Sequence, residues 1–274
     1  PPPAPDFFYY LDPARNQGMP PASATTVIKA RFIYSPALPG GYRPHYDQTR
    51  ALAQSAFDTV KAGNPLVAGE LADAFDPYAK EQAIFRLLDS GVNTLVLAST
   101  QPVYSDFEEL SGSFVGVHKA VEEWRRSHGG KPIKIVIAPY MASQPSFDRL
   151  VLDNFARSVP QASAPGQAAM GILTLHGLPV SLLASDSWSG RIASVSRRLV
   201  PRAEAILRAK CYDRVAVHVG PEGFGDTLED PGNKQTSVHE LFRMAESQHF
   251  DVAVASPLEF LAENTDTLFS HASV

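Results

Sequence analysis

Hydrophobic and polar residues form a repeating pattern of short blocks along this 274-residue chain. Apolar runs predict strands over 92–98, 133–138, 171–176, 214–219 and 251–256. The run at 92–98 is continuously aliphatic and β-branched at its centre, which is typical of a strand covered on both faces. Looser patterns predict a first strand over 27–34 and a short second strand over 67–71.

Segments with apolar residues at helical spacing lie between these strands. They cover 47–60, 76–90, 118–126, 147–157, 195–210, 237–247 and 258–268. Asp76 is predicted to cap the second of these helices, because Pro77 suits a first helical turn and Gly91 suits a helix end. The alternation of strands and helices predicts an α/β protein with parallel sheets.

A weak internal repeat bears on the domain organisation. Residues 93–98 and 251–256 are similar, and in both places a helix leads to a buried strand, a proline-containing loop and an acidic turn. This repeat predicts two similar halves that face each other across a cleft, although a chance similarity of two strand–helix units is the alternative. The predicted divisions are an arm over 1–25 and halves over 26–145 and 146–274.

The amino-acid composition limits which kinds of partner the protein is expected to bind and where in the cell it is expected to be. The formal net charge of −5 gives no electrostatic case for nucleic acid or an anionic membrane, and no apolar run approaches the roughly 20 residues of a membrane span. We expect a soluble protein, cytoplasmic, or periplasmic or exported if the proline-rich start follows a removed signal peptide. Cys211 is the only cysteine, which excludes an intrachain disulfide and a cysteine-based zinc cluster.

One histidine occupies a position where parallel sheets bind ligands. The apolar stretch 171–175 leads directly to His176, and Gly177, Leu178 and Pro179 then turn the chain. A buried strand would therefore carry an imidazole at its C-terminal end, the edge at which open α/β sheets bind ligands. On this local pattern alone, a hydrogen-bonded structural histidine is the competing interpretation.

Other polar side chains follow the ends of predicted strands along the same edge. The candidates are Tyr34, Tyr104, Glu263 and Asp266. An imidazole that faces a carboxylate can bind a divalent cation or transfer protons. Glu108 and Glu109 are interpreted instead as the solvated start of a helix.

Common cofactor and nucleophile motifs are absent from the sequence. The chain contains no G-x-S-x-G, G-x-x-x-x-G-K-[ST], G-x-G-x-x-G or H-E-x-x-H motif. The glycine-rich stretch 220–225 does not have the spacing of a phosphate-binding loop. We therefore predict neither a nucleotide nor a redox cofactor.

Four sequence blocks, in a fixed order, carry a family resemblance. Residues 81–105 end in Pro-Val-Tyr-Ser, 173–179 read Leu-Thr-Leu-His-Gly-Leu-Pro, 219–222 read Val-Gly-Pro-Glu, and 257–268 run from Pro-Leu-Glu-Phe to Asp-Thr-Leu. Together they resemble the class II tetrapyrrole chelatases, and within them the ferrochelatases. The resemblance extends from about residue 27 to residue 270.

The resemblance implies two Rossmann-like halves with a porphyrin cleft, and insertion of a divalent metal into that porphyrin. Fe²⁺ is the expected metal substrate, with Co²⁺ or Zn²⁺ as alternatives. His176 matches the family histidine that binds metal or accepts pyrrole protons, and Asp266 matches the catalytic glutamate. The resulting assignments are His176 and Asp266 as catalytic, Tyr34 and Tyr104 as substrate-binding, and His176, Asp266 and Glu263 as metal-binding.

The carboxylate side of this expected site departs from the family. Asp266 is one methylene, about 1.5 Å, shorter than the family glutamate. Asn264 stands where a histidine is common, and Ser270 replaces an acidic residue. A second hypothesis is therefore a non-catalytic haem, tetrapyrrole or metal-binding protein that keeps His176 as a ligand. A third is a different metal or tetrapyrrole, such as cobalt and an early corrinoid precursor.

Overall fold

A computed structural model describes residues 43–72, 77–106, 109, 114–178, 185–222 and 237–259. These residues form two compact units. The first unit comprises the described residues up to Ala98 together with 109 and 114–138. The second unit comprises 99–106 and the described residues from Pro139 onward. Among the described helices, none is long and apolar enough to cross a membrane.

The described residues of the first unit form three helices and a two-stranded parallel sheet. The helices are α1 (Arg43–Gly63), α2 (Pro77–Asp89) and α3 (Val115–Ser127), and the strands are β1 (Thr94–Leu97) and β2 (Lys134–Ile137). Helices α2 and α3 pack on β1 through a core that includes Leu88, Leu95 and Trp124. The indole N–H of Trp124 donates a hydrogen bond to Asp89 Oδ1 at 2.8 Å, so the two helices are also joined by a polar contact.

The expectation that the strand at 92–98 is covered on both faces is wrong. Leu95 is buried beneath the helices, but Val96, on the opposite face, is 65% exposed. The reason is that α2 and α3 lie on the same face of this small sheet. The apolar run therefore predicted the strand correctly, but its second face is exposed rather than buried.

The prediction of a short strand over 67–71 is also wrong. These residues are irregular and pair with no strand among the described residues. The backbone turns just before them, where the N–H of Val67 donates to the carbonyl of Asn64 at 3.1 Å. Glu70 forms an ion pair with Arg86 of α2 at 2.9 Å, and the Arg86 hydrogen bond holds the pKa of the Glu70 carboxyl below its usual range. A strand needs a pairing partner, which a sequence pattern alone does not supply.

In the second unit, the described strands form a three-stranded parallel sheet with the order β4-β3-β5. The strands are β3 (Ala168–His176), β4 (Arg214–Glu222) and β5 (Val252–Pro257). The helices are α4 (Pro145–Ser158), α5 (Trp188–Ala209) and α6 (Val238–Ser247), and a 3-10 turn spans Met141–Ser143. With two parallel sheets and helices between the strands, the α/β class predicted from the sequence is confirmed.

Alternate side chains of β3 enter two different cores. Leu173 and Leu175 pack in the core formed with α4 and α5, whereas Met170 and Ile172 pack in the core formed with α6. The eight residues of β3 before His176 are all buried. The central strand is therefore fixed along its length, and His176 is the first residue of β3 to be partly exposed.

Helix α5 begins seven residues before the predicted start at residue 195. Trp188, its first residue, is buried, and the backbone N–H of Trp188 donates to Asp186 Oδ1 at 2.8 Å. Ser189 and Gly190 follow, and their low helix propensity conceals this first turn in the sequence. Helix α6 agrees more closely with the prediction, because Ser237 and Glu240 form a capping box at its start.

Several predicted elements lie outside the described residues. They are the arm over 1–25, the strand over 27–34, the Asp76 cap and the part of the closing helix beyond residue 259. The predicted division into halves at 145 and 146 stays a prediction.

Candidate functional site

His176 occupies the C-terminal end of β3, at the edge where the parallel strands of the second unit finish. Its Cα is paired in register with that of Glu222, the last residue of β4. On the other side of β3, pairing with β5 reaches Thr174 and Pro257. The imidazole is thus attached to a rigid strand at the edge of the sheet where α/β proteins bind ligands.

Glu259, two residues beyond β5, holds the backbone of His176. The residue is 2% exposed, and its Oε2 accepts the backbone N–H of His176 at 3.1 Å. The other oxygen, Oε1, accepts the indole N–H of Trp188 at 3.1 Å. Just before it, the N–H of Leu258 donates to the carbonyl of Thr174 at 2.7 Å. The end of β3 is therefore tied to the start of α5 through one buried carboxylate.

The opposite end of β3 is held by a similar contact. Asp251, which immediately precedes β5, accepts the backbone N–H of Ala168 on Oδ2 at 2.7 Å. Both bonds join residues 83 positions apart in the chain. Carboxylates that flank β5 thus bind the first and the last residue of β3.

A second pair of carboxylates organises the start of α5. Asp186 Oδ1 accepts the backbone N–H of Trp188 and, at 2.9 Å, that of Asp106. In return, the Asp106 carboxylate accepts the backbone N–H and the hydroxyl of Ser187, both at 2.8 Å. The Ser187 backbone N–H is the main reason that the pKa of Asp106 is lowered, and the Ser187 hydroxyl and Arg191 add to the effect.

Tyr104 lies at the other end of this network. The Arg191 guanidinium donates to Asp106 Oδ1 at 3.1 Å and to the backbone carbonyl of Tyr104. The Tyr104 side chain is buried, and its hydroxyl accepts the N–H of Ser99 at 3.2 Å. A continuous series of hydrogen bonds therefore links His176 to Tyr104. The intervening residues are Glu259, Trp188, Asp186, Asp106 and Arg191.

The structure thus brings two of the predicted site residues, His176 and Tyr104, into one hydrogen-bonded network. The other three, Tyr34, Glu263 and Asp266, lie outside the described residues, and their roles stay predictions. In the part of the chain that the structure describes, no group of three histidine, cysteine, aspartate or glutamate side chains could hold a metal ion.

The interpretation of Glu109 as a solvated helix start is wrong, because this residue is only 6% exposed. Glu108, its neighbour in the same interpretation, lies outside the described residues. Acidic residues are usually solvated, and a buried carboxylate depends on polar partners that the local sequence does not reveal.

Glu259 is the functional candidate that sequence reasoning missed. It appeared only as one letter of the closing block, between Leu258 and Phe260. The available signal is an ionisable residue between two apolar neighbours, two residues beyond the end of β5. It is weaker than the signal for His176, which ends an apolar run without interruption.

No model of a known protein family matches the chain, and no curated protein matches it in sequence. The resemblance to the chelatases therefore depends on the four sequence blocks, and the geometry of the site comes from this chain alone.

Proposed function

We propose that this protein inserts a divalent metal ion, with Fe²⁺ as the first candidate, into a porphyrin. The observation that carries the proposal is the placement of His176. Its backbone is fixed by Glu259 and by the register of β3, and its side chain is partly exposed at the ligand-binding edge of a parallel sheet.

The chemistry of metal insertion suits an imidazole at this position. The entering cation replaces two pyrrole N–H protons of the macrocycle, so the reaction needs a group that accepts protons or binds the metal. A neutral imidazole can do either near neutral pH. In this proposal His176 is that group, and Asp266 and Glu263 assist proton removal or metal delivery.

The proposal includes a finer fold than the α/β class. It expects the two similar Rossmann-like halves of the chelatases, with His176 belonging to the C-terminal half. The parallel order of β4, β3 and β5, with helices packed on both faces of β3, is compatible with such a half.

A second candidate function is binding of haem or another tetrapyrrole without turnover. The shortened carboxylate at Asp266 favours it, because moving that group back by one methylene weakens its reach toward a substrate. In this function His176 would act as an axial or metal ligand.

The decisive experiment measures metal insertion directly. Purified protein is mixed anaerobically with protoporphyrin and either Fe²⁺ or Zn²⁺, and the initial rate is followed by absorbance. We expect catalytic formation of metalloporphyrin, and we expect His176→Ala to lower the rate by about 100-fold or more, as typical for loss of an acid–base group.

His218→Gln is the matched control. His218 lies in β4 of the same sheet, opposite Ile172, and is therefore four residues away from the edge. This variant should retain the wild-type rate. Stoichiometric haem binding without turnover would contradict the enzyme and support the second candidate. Failure to bind either porphyrin or metal would contradict both.

A further inference from the structure

We propose that Glu259 is a positioning residue that fixes the direction of the His176 imidazole. Its kinetic consequence rests on the proposed function, whereas its structural consequence does not. Glu259 contacts the backbone N–H of His176, and its carboxylate is buried. It therefore acts through His176 rather than on a bound molecule.

The residue type at position 259 supports this role. Both carboxylate oxygens accept hydrogen bonds, one from the His176 backbone and one from the Trp188 indole. A glutamine could accept only one of these donors with its single amide oxygen, and its NH₂ group would face the other. Burying a carboxylate is costly unless its hydrogen bonds are satisfied, and these two donors each satisfy one of its oxygens.

The contact between Glu259 and His176 lies where it can affect the direction of the imidazole. The peptide of His176 is the last of β3, beyond the point where pairing with β5 ends at Thr174 and Pro257. On the side of β3 that pairs with β5, the Glu259 carboxylate accepts the N–H of His176. Fixing that peptide restricts the directions in which the imidazole can leave the strand, which is how supporting residues orient a reactive side chain.

Asp251 provides a matched control within the same strand. It makes the same kind of bond, from a carboxylate to a backbone N–H, at the N-terminal end of β3. Asp251→Asn therefore tests the loss of a carboxylate bond at the end of β3 remote from His176. The two sites differ in that Asp251 is exposed and lies beside Ala168, whereas Glu259 is buried, lies beside His176 and also contacts Trp188.

The kinetic test compares these two variants in the metal-insertion assay. We expect Glu259→Gln to lower kcat by about 10–100-fold with little change in the KM for porphyrin, and Asp251→Asn to keep kcat within about twofold. Equal losses in both variants would overturn the inference, because the effect would then follow from sheet stability. An unchanged kcat in Glu259→Gln would also overturn it.

A second readout does not depend on the proposed function. In protein with isotope-labelled histidine, the ring signals of His176 are assigned by their disappearance in His176→Ala. We expect one sharp set of signals in the wild type and in Asp251→Asn, and broadened or doubled signals in Glu259→Gln. If the wild-type protein inserts no metal, the proposed function fails, and this spectrum alone decides the inference. Identical His176 signals in all three proteins would overturn it.

Trp188→Phe is the second variant if Glu259→Gln does not fold. It removes the indole N–H that holds Oε1 while leaving the carboxylate and the His176 bond in place. We expect broadening of the His176 signals in the same sense but to a smaller extent. Unchanged signals in a folded Trp188→Phe protein would contradict the role given to the Trp188–Glu259 contact.

Discussion

Single residues of β3 are matched closely to the side chains that cover them. Gly171 is the clearest example, because a Cβ atom at this position would lie 2.6 Å from Cζ of Phe155 and 3.2 Å from Cγ2 of Val217. Phe155 has no exposed surface, so its ring cannot move aside without disturbing the core. The absence of a side chain at 171 therefore allows α4 to approach the centre of the sheet.

Gly171→Ala should lower the free energy of unfolding by about 1–3 kcal/mol, because it adds a methyl group to a filled core. Urea denaturation of the wild-type and variant proteins measures the difference. Gly190→Ala in α5 is the control, since its added Cβ would meet no atom within 4 Å beyond its chain neighbours and the adjacent backbone of its own helix. That substitution should raise stability by about 0.5–1 kcal/mol through helix propensity. Equal stability of the two variants would contradict the packing argument.

At the level of elements, an ionic contact with one buried partner, Asp148, joins α4 to α5. The side chain of Asp148 in α4 is 7% exposed and accepts from Arg198 Nε and Nη2 at 3.1 and 3.0 Å. Arg198 also donates to the carbonyl of Ala142, at 2.5 Å. Arg202 makes one longer contact with the same carboxylate, at 3.3 Å, and its side chain is 53% exposed. The two arginines on α5 are therefore unequal partners of Asp148.

Arg198→Met should lower the free energy of unfolding by roughly 2–3 kcal/mol, because it leaves a buried carboxylate without its two-point partner. Arg202→Met should cost less than about 1 kcal/mol, since an exposed, single contact contributes little. Both values can be measured by urea denaturation. A larger loss for Arg202→Met than for Arg198→Met would show that the assignment of partners is wrong.

For the molecule as a whole, the network at the start of α5 makes stability depend on pH. The pKa of Asp106 is lowered in the folded protein by its hydrogen bonds with Ser187 and Arg191. The unfolded chain therefore binds a proton at this position more readily than the folded protein does. The stabilising contribution of Asp106 is present above the ordinary aspartate pKa of about 3.9 and is lost as the pH falls through the lower, folded value.

Asp106→Asn should therefore be less stable than the wild type at pH 7, and the difference should shrink as the pH falls below about 4. Urea denaturation at several pH values between neutral and acidic conditions tests this expectation. Asp153→Asn, at an exposed position of α4, serves as the control for changing net charge. A difference between Asp106→Asn and wild type that is independent of pH would contradict the argument.

The sequence predicted much of the fold because hydrophobic patterns are local. The strands β3, β4 and β5 lie within about three residues of their predicted positions, since each is an apolar run whose burial is visible in its own letters. The strand predicted over 67–71 failed because pairing depends on a distant segment. The early start of α5 was missed because the burial of Trp188 outweighs the weak helix propensity of the residues that follow it.

The candidate site was less predictable for the same reason. His176 could be found because the strand and its end are contiguous in sequence. Its partner Glu259 is 83 positions away, and Glu259 in turn contacts Trp188 across 71 positions. Such contacts arise only when β3, β5 and α5 have assembled, so no local pattern contains them.

The path of the chain through the two units limits how the protein can be divided. Residues 99–106 belong to the second unit, although the residues on both sides of them belong to the first. A single cut before Pro139 would therefore separate Asp106 from Ser187 and Arg191, which donate to it. A recombinant fragment of the second unit must carry residues 99–106, for example fused ahead of Pro139 through a linker, or supplied as a separate peptide. The protein has two compact bodies but no single position at which a protease or a gene truncation could release either one whole.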